Sequence, residues 1–123
     1  VRDADKLDII SVLLSRFHPA RDHDGVVTLG LKHDPARYSS HSLEQALHGH
    51  IVSYQDMVWI NDFRLLLCSW VFDLNFDLSR LRFLERGYVQ ALTGELPATE
   101  GIARLKSLLM SELGHREWEQ VLV

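Results

Sequence analysis

Three carboxylates and one ammonium group stand within six positions near the start of the sequence, in Asp3-Ala4-Asp5-Lys6-Leu7-Asp8. On a helix of about 3.6 residues per turn, Asp5 and Asp8 share a face, while Asp3 lies about 160° from Asp5 and about 140° from Asp8. Carboxylates are hard oxygen ligands that suit Mg, Mn, Ca and Fe, and they also bind zinc. The stretch therefore has the chemistry of part of a divalent-metal site. It is equally an acidic first helical turn, which meets the positive end of the helix dipole favourably.

Two other aspartate motifs do not fit this stretch. A calcium-binding EF-hand loop needs an acid or amide at its fifth place and glycine at its sixth, where Leu7 and Asp8 stand. A phosphatase-type Asp-x-Asp nucleophile needs a buried strand before it, and only Val1 and Arg2 precede Asp3. We therefore expect neither motif here.

The same six residues resemble the last metal-ligand motif of the HD-domain metal-dependent phosphohydrolases, whose chains often read Ala-Asp-(Lys/Arg)-Leu-Asp there. That family has a helical core that collects a His, a His-Asp dipeptide and a distant Asp around one or two divalent metals. The resemblance implies that Asp5 is the final metal-ligating Asp and that Asp3 and Asp8 orient ligands around it or help to cap the helix. It also makes Lys6 a candidate contact for substrate phosphate. A looser similarity to the tail of some bacterial members covers about thirty residues, from Asn61-Asp62-Phe63 through Trp70-Val71-Phe72-Asp73 to Glu85-Arg86-Gly87-Tyr88.

The resemblance implies a divalent metal (Mn, Mg, Fe, Ni or Zn) in the complete protein and a phosphate mono- or diester, nucleotides included, as substrate. The family's other ligands precede the final Asp, whereas His23-Asp24 and His33-Asp34 follow Asp5 and stand before Gly25 and Pro35. Ordinary turn chemistry is expected of these two dipeptides, because Asp readily bonds its own backbone. We therefore expect the C-terminal part of a longer HD enzyme. No catalytic residue is assigned within it, and the chain alone need not hold a metal and is expected to be inactive.

The remaining histidines and the thiol have no ligand spacing. His48 and His50 stand two residues apart, so on a helix they point in different directions. His18 and His23 are the best placed of the set, because loops often carry sites. Cys68 lies in an apolar stretch and is expected to be a small buried hydrophobic residue rather than a reactive thiolate. The sequence has no glycine-rich phosphate loop and no nucleophile elbow.

Hydrophobic spacing predicts an all-α fold of about five helices with one long loop. The loop covers residues 18–41, with a short strand at 26–29 as an option. The predicted helices cover residues 3–17, a short segment from the capping box Ser42-Leu43-Glu44-Gln45, a segment from about Tyr54 to 71, residues 78–92 after an Asp77 cap, and a last segment that ends at Gly114. Through the resemblance, residues 1–123 become one helical unit: 1–17 ends the metal-binding core, 18–41 is a loop, and 42–123 are the C-terminal helices of an HD-type core.

Composition limits the other classes of function. Of 123 residues, 46% are hydrophobic and 24% charged, which is typical of a globular domain and not of a disordered tail. A net charge of −4 argues against binding to duplex nucleic acid or to an anionic membrane. The longest apolar run, residues 57–72, is interrupted by Asn61, Asp62 and Arg64 and is shorter than the ~20 residues of a membrane span.

A single cysteine cannot form an internal disulfide, so the cytoplasm is the expected compartment. The chain opens in what already looks like a helix, and this predicts that residue 1 lies inside a longer natural chain. The amphipathic segment around Trp118 could pack on its own domain or on a second subunit, so a homodimer stays open.

One alternative is a small, non-catalytic helical interaction or regulatory module, in which the acidic first turn is only a good helix start. Another is a degenerate HD domain that keeps the fold without the ligands.

Overall fold

The computed structural model describes residues 3–16 and 30–114, and this part of the chain is all-helical. Its six α-helices are α1 (Asp3–Arg16), α2 (Ser40–Leu47), α3 (Ile60–Ser69), α4 (Asp77–Glu85), α5 (Tyr88–Gly94) and α6 (Glu100–Gly114). Two 310-helical turns, Tyr54–Asp56 and Trp70–Asp73, lie before and after α3. Within the described residues there is no strand, only one parallel bridge between Lys32 and Trp59. The predicted all-α fold is confirmed, and no described helix is long and apolar enough to cross a membrane.

Several predictions fall on residues that the structure does not describe. They concern the end of the first helix at residue 17, the optional strand at 26–29, and the side chains of His18, His23 and Trp118. All of these stay predictions.

Helix α3 is the centre of the core, since all ten of its residues are buried. It packs against α2 and α5, and α6 packs on α2, α4 and α5. The expectation that the apolar run 57–72 forms core is confirmed for residues 60–69 and Val71, whereas Val58 is exposed. The predicted helix start near Tyr54 is wrong, because the chain is extended at Met57 and Trp59 and the helix begins only at Ile60. The Asp62 carboxylate accepts the backbone N–H groups of Val58 and Trp59 and fixes that start.

The predicted start of α2 is also wrong. The helix begins at Ser40, with Ser39 as its N-cap, so the capping box that begins at Ser42 is not used. Ser42 is instead fully buried, and its hydroxyl has no hydrogen-bond partner in the part of the chain that the structure describes. Ser39 fixes the start of α2, because its backbone N–H and its hydroxyl both donate to the Asp62 carboxylate.

The predicted fourth helix is two helices. Gly87, with φ of +71°, separates α4 from α5, because this left-handed conformation ends one helix and allows a change of direction. Asp77 is the first residue of α4, not its cap; Phe76 occupies the cap position without a side-chain cap bond. The last helix is confirmed, with a buried stripe of Ile102, Leu105, Leu109 and Leu113.

Candidate functional site

Helix α1, which carries the acidic motif, has an inner face that includes two buried charges. Leu7 and Ile10 lie in the core, and on the same face Asp3 is 6% exposed and Lys6 only 3%. The spacing of these four residues follows the helical repeat, so all four lie on one stripe of α1, and this helix packs against α4 and α5. Buried charges are costly unless they are paired, so the partners of Asp3 and Lys6 decide what this face does.

Asp3 binds the turn that leads into α4. Its carboxylate accepts the backbone N–H of Asn75 at 2.9 and 3.1 Å and that of Phe76 at 3.0 Å, and the Asn75 side-chain amide at 3.3 Å. Burial acts to raise the pKa of Asp3. Hydrogen bonds from Ser79, Phe76 and Asn75, with the nearby Lys6 charge, outweigh it and hold that pKa below its usual value.

Lys6 binds the residue before the same turn. Its ammonium nitrogen donates to the Asp73 carboxylate at 2.7 Å and to the Asp73 carbonyl at 3.0 Å. We call the set Asp3, Lys6, Asp73, Asn75 and Phe76 the clasp. A phosphate could reach the Lys6 ammonium only by displacing Asp73, so the phosphate contact stays a prediction.

A second contact joins α1 to the start of α5. The Tyr88 hydroxyl donates to the Leu7 carbonyl at 3.4 Å, and Arg86 donates to the Tyr88 hydroxyl at 3.2 Å. The Tyr88 ring also packs edge-on against Phe83, with 5.3 Å between ring centroids. The acidic motif thus contacts Asp73 and Tyr88. Both residues belong to the later stretch, which resembles the HD-domain family more loosely.

The outer face of α1 carries Asp5 and Asp8, both exposed, together with Ile9 and Val12, which are 39% and 53% exposed. Neither carboxylate has a hydrogen-bond or ion-pair partner among the described residues. Asp5 has the donor chemistry of a metal ligand, but those residues contain no group of three or more His, Cys, Asp or Glu that could hold an ion. The role of Asp5 as ligand, with Asp3 and Asp8 around it, stays a prediction.

Three of the described histidines, His41, His48 and His50, line one pocket together with Glu44 and Gln45, but no group among the described residues is placed to hold a metal ion. His41 pairs with Asp56 at 3.4 Å, and His48 hydrogen-bonds to the carbonyl of Glu44 at 2.8 Å. The rings of His48 and His50 meet edge-on with centroids 6.5 Å apart. In the second His-Asp dipeptide, the Asp34 carboxylate accepts the N–H of Ala36, which confirms the expected turn chemistry there.

The thiol of Cys68 is fully buried in α3. Burial raises its pKa to about 12, so the sulfur stays protonated at neutral pH. The prediction of a small buried hydrophobic residue is confirmed.

Sequence reasoning missed a polar hub at the start of α3. The fully buried Asp62 carboxylate accepts four hydrogen bonds, two from Ser39 and one each from Val58 and Trp59. Next to it, the Asn61 amide donates to backbone carbonyls of the preceding loop, and the Asn61 oxygen accepts from Arg64 at 2.8 Å. The available signal was the presence of these polar residues inside the longest apolar run.

No family model, no curated protein and no solved structure matches this chain. The candidate site therefore rests on the contacts described above.

Proposed function

We propose that this chain is the C-terminal helical part of an HD-type metal-dependent phosphohydrolase, in which Asp5 is the last metal ligand. One observation carries the proposal. The two stretches that resemble the family meet through three pairs of residues that lie 67, 72 and 81 positions apart in the chain: Lys6 and Asp73, Asp3 and Asn75, and Leu7 and Tyr88. Two stretches that resemble the same domain family are expected to pack together in one domain. These contacts support that expectation.

The orientation of α1 gives further support. The clasp holds Asp3 and Lys6 against the chain's own core, which leaves Asp5 on the opposite, exposed face. A ligand to a metal held mainly by other parts of the protein must point away from this core. Ile9 and Val12 on the same face provide apolar surface for those parts to cover.

The proposed substrates are phosphate mono- or diesters, including nucleotides, and the proposed metal is divalent. We place the protein in the cytoplasm because its single cysteine suits a reducing compartment. A homodimer is compatible with this proposal and is not needed by it.

Hydrolysis assays test the proposal. The natural protein that contains these residues and the 123-residue chain alone are each given bis(p-nitrophenyl) phosphate and nucleoside monophosphates with Mn²⁺. We expect the natural protein to release product and the chain alone to stay at the buffer rate. Asp5→Asn should abolish turnover, whereas Asp56→Asn, which changes an exposed acid outside α1, should retain it. Turnover unchanged by Asp5→Asn would refute the proposal.

A second candidate function is a non-catalytic helical interaction module. The exposed Ile9 and Val12 favour it, because apolar side chains on an outer helix face can dock a partner without any chemistry. The coding sequence upstream of residue 1 separates the two candidates. A His and a helical His-Asp dipeptide there favour the enzyme, and a start codon at residue 1 favours the module.

A further inference from the structure

A rigid basic and aromatic surface lies at the opposite end of α3 from the clasp. It consists of Lys32, Arg37, Val58 and Trp59, and we call it the Trp59 surface. Lys32 and Arg37 are exposed, Val58 is 40% exposed and Trp59 is half-buried. The clasp follows α3, whereas this surface precedes it, so the two do not share residues.

Backbone contacts hold the Trp59 surface in place. The Lys32 N–H donates to the Val58 carbonyl, and the Lys32 carbonyl accepts the Ile60 N–H, both at 2.9 Å. The buried Asn61 amide binds the Arg37 carbonyl at 2.8 Å, and Asp62 binds the Trp59 N–H at 3.1 Å. The backbone of all four surface residues is thus fixed before a ligand arrives, which lowers the ordering cost of binding.

Two cations approach one indole ring on this surface. The Lys32 ammonium nitrogen and the central guanidinium carbon of Arg37 each lie 5.6 Å from the centroid of the Trp59 ring. Lys32 has no acidic partner in the described ranges. Arg37 meets the Asp34 carboxylate at 3.4 Å, but both side chains are exposed and such pairs contribute little. Trp and Arg are also the residue types that most often anchor protein interfaces.

We propose that the Trp59 surface binds an acidic segment of another protein that also carries an apolar side chain. Carboxylates of the segment pair with Lys32 and Arg37, and the apolar side chain covers Val58 and the exposed part of the indole. Charge favours this partner over a nucleic acid. Two cations match a short acidic segment, whereas the chain's net charge of −4 repels a long polyanion. The inference is independent of the proposed hydrolase function.

Fluorescence anisotropy tests this inference with a fluorescein-labelled peptide that alternates glutamate with leucine. The matched probes are a peptide with lysine in place of every glutamate and a labelled oligouridylate. We expect the acidic peptide to bind, and the double variant K32E/R37E to weaken its Kd by at least about tenfold. The control R104E/K106E makes the same change of charge on exposed positions of α6 and should leave Kd within about twofold.

Several results of this experiment would overturn the inference. Absence of acidic-peptide binding, or equal weakening by R104E/K106E, overturns the inference. Tighter binding of the lysine peptide or of oligouridylate overturns the assignment of partner class. K32R/R37K keeps both charges and should keep binding, and circular dichroism of K32E/R37E establishes that the variant is folded.

Discussion

At the scale of single residues, the aspartates of the first helix divide by the side of the helix on which they lie. Asp3 is buried and bound by backbone N–H groups, while Asp5 and Asp8 are exposed. The sequence predicts that Asp3 and Asp5 lie on different sides, because the helical repeat requires it. It gives no sign that Asp3 binds Asn75 and Phe76, since that contact joins positions seventy-two and seventy-three residues apart.

Asp3 should make stability depend on pH. Its folded-state pKa is lowered from 3.8, so its stabilising contribution is present above that value and is lost as pH falls through the folded-state pKa. Asp3→Asn should lower the free energy of unfolding by about 1–2 kcal/mol at pH 7. The difference from the original chain should shrink below pH 3.8.

Urea denaturation at neutral and at acidic pH measures this effect, and Asp8→Asn is the matched control because Asp8 is exposed on the same helix. If the difference in unfolding free energy between Asp3→Asn and the original chain stays constant with pH, the Asp3 carboxylate is not the source of the pH dependence.

Asp62 should be far more sensitive than an exposed aspartate. Asp62→Asn puts an amide among four hydrogen-bond donors in a fully buried position, and we expect a loss of about 3 kcal/mol in unfolding free energy. Asp56→Asn removes only an exposed pair with His41 and should cost less than about 0.5 kcal/mol. Chemical denaturation compares the two, and similar losses would show that Asp62 is not a hub.

At the scale of the elements, hydrophobic spacing predicts which segments are helical better than it predicts where each helix begins and ends. The stripe of α6 and the buried run of α3 follow directly from apolar residues at helical spacing. The starts of α2 and α3 could not be predicted, because Asp62 sets both of them through bonds to Ser39, Val58 and Trp59. A local capping box at Ser42 was outweighed by that tertiary contact.

Gly87 should be required for the break between α4 and α5. Its φ of +71° costs about 1–2 kcal/mol for any residue with a Cβ, although an added Cβ would meet only the Gln90 Oε1 atom, at an ordinary contact distance of 3.9 Å. We expect Gly87→Ala to lower the unfolding free energy by that amount. Gly94→Ala is the matched control: no atom lies within 4 Å of its added Cβ and its φ is not positive, so it should be neutral or slightly stabilising. Thermal melting of both variants is the measurement, and equal melting temperatures would contradict the account of the break.

At the scale of the whole molecule, the described chain is a helical core with two surfaces at opposite ends of α3. The clasp end presents Asp5 outward, and the other end presents the Trp59 surface. The all-α fold follows from the sequence pattern, and Asp5 follows from the resemblance. The Trp59 surface could not be predicted, because it depends on a bridge between Lys32 and Trp59 that no local pattern signals.

The metal content of the natural protein that contains these residues tests the central claim most directly. Purified protein, dialysed after loading with Mn²⁺, is measured by plasma mass spectrometry beside its Asp5→Asn and Asp56→Asn variants. We predict bound metal in the original protein and in Asp56→Asn, with occupancy reduced by about tenfold or more in Asp5→Asn. Equal occupancy in all three proteins would contradict the assignment of Asp5 as a metal ligand.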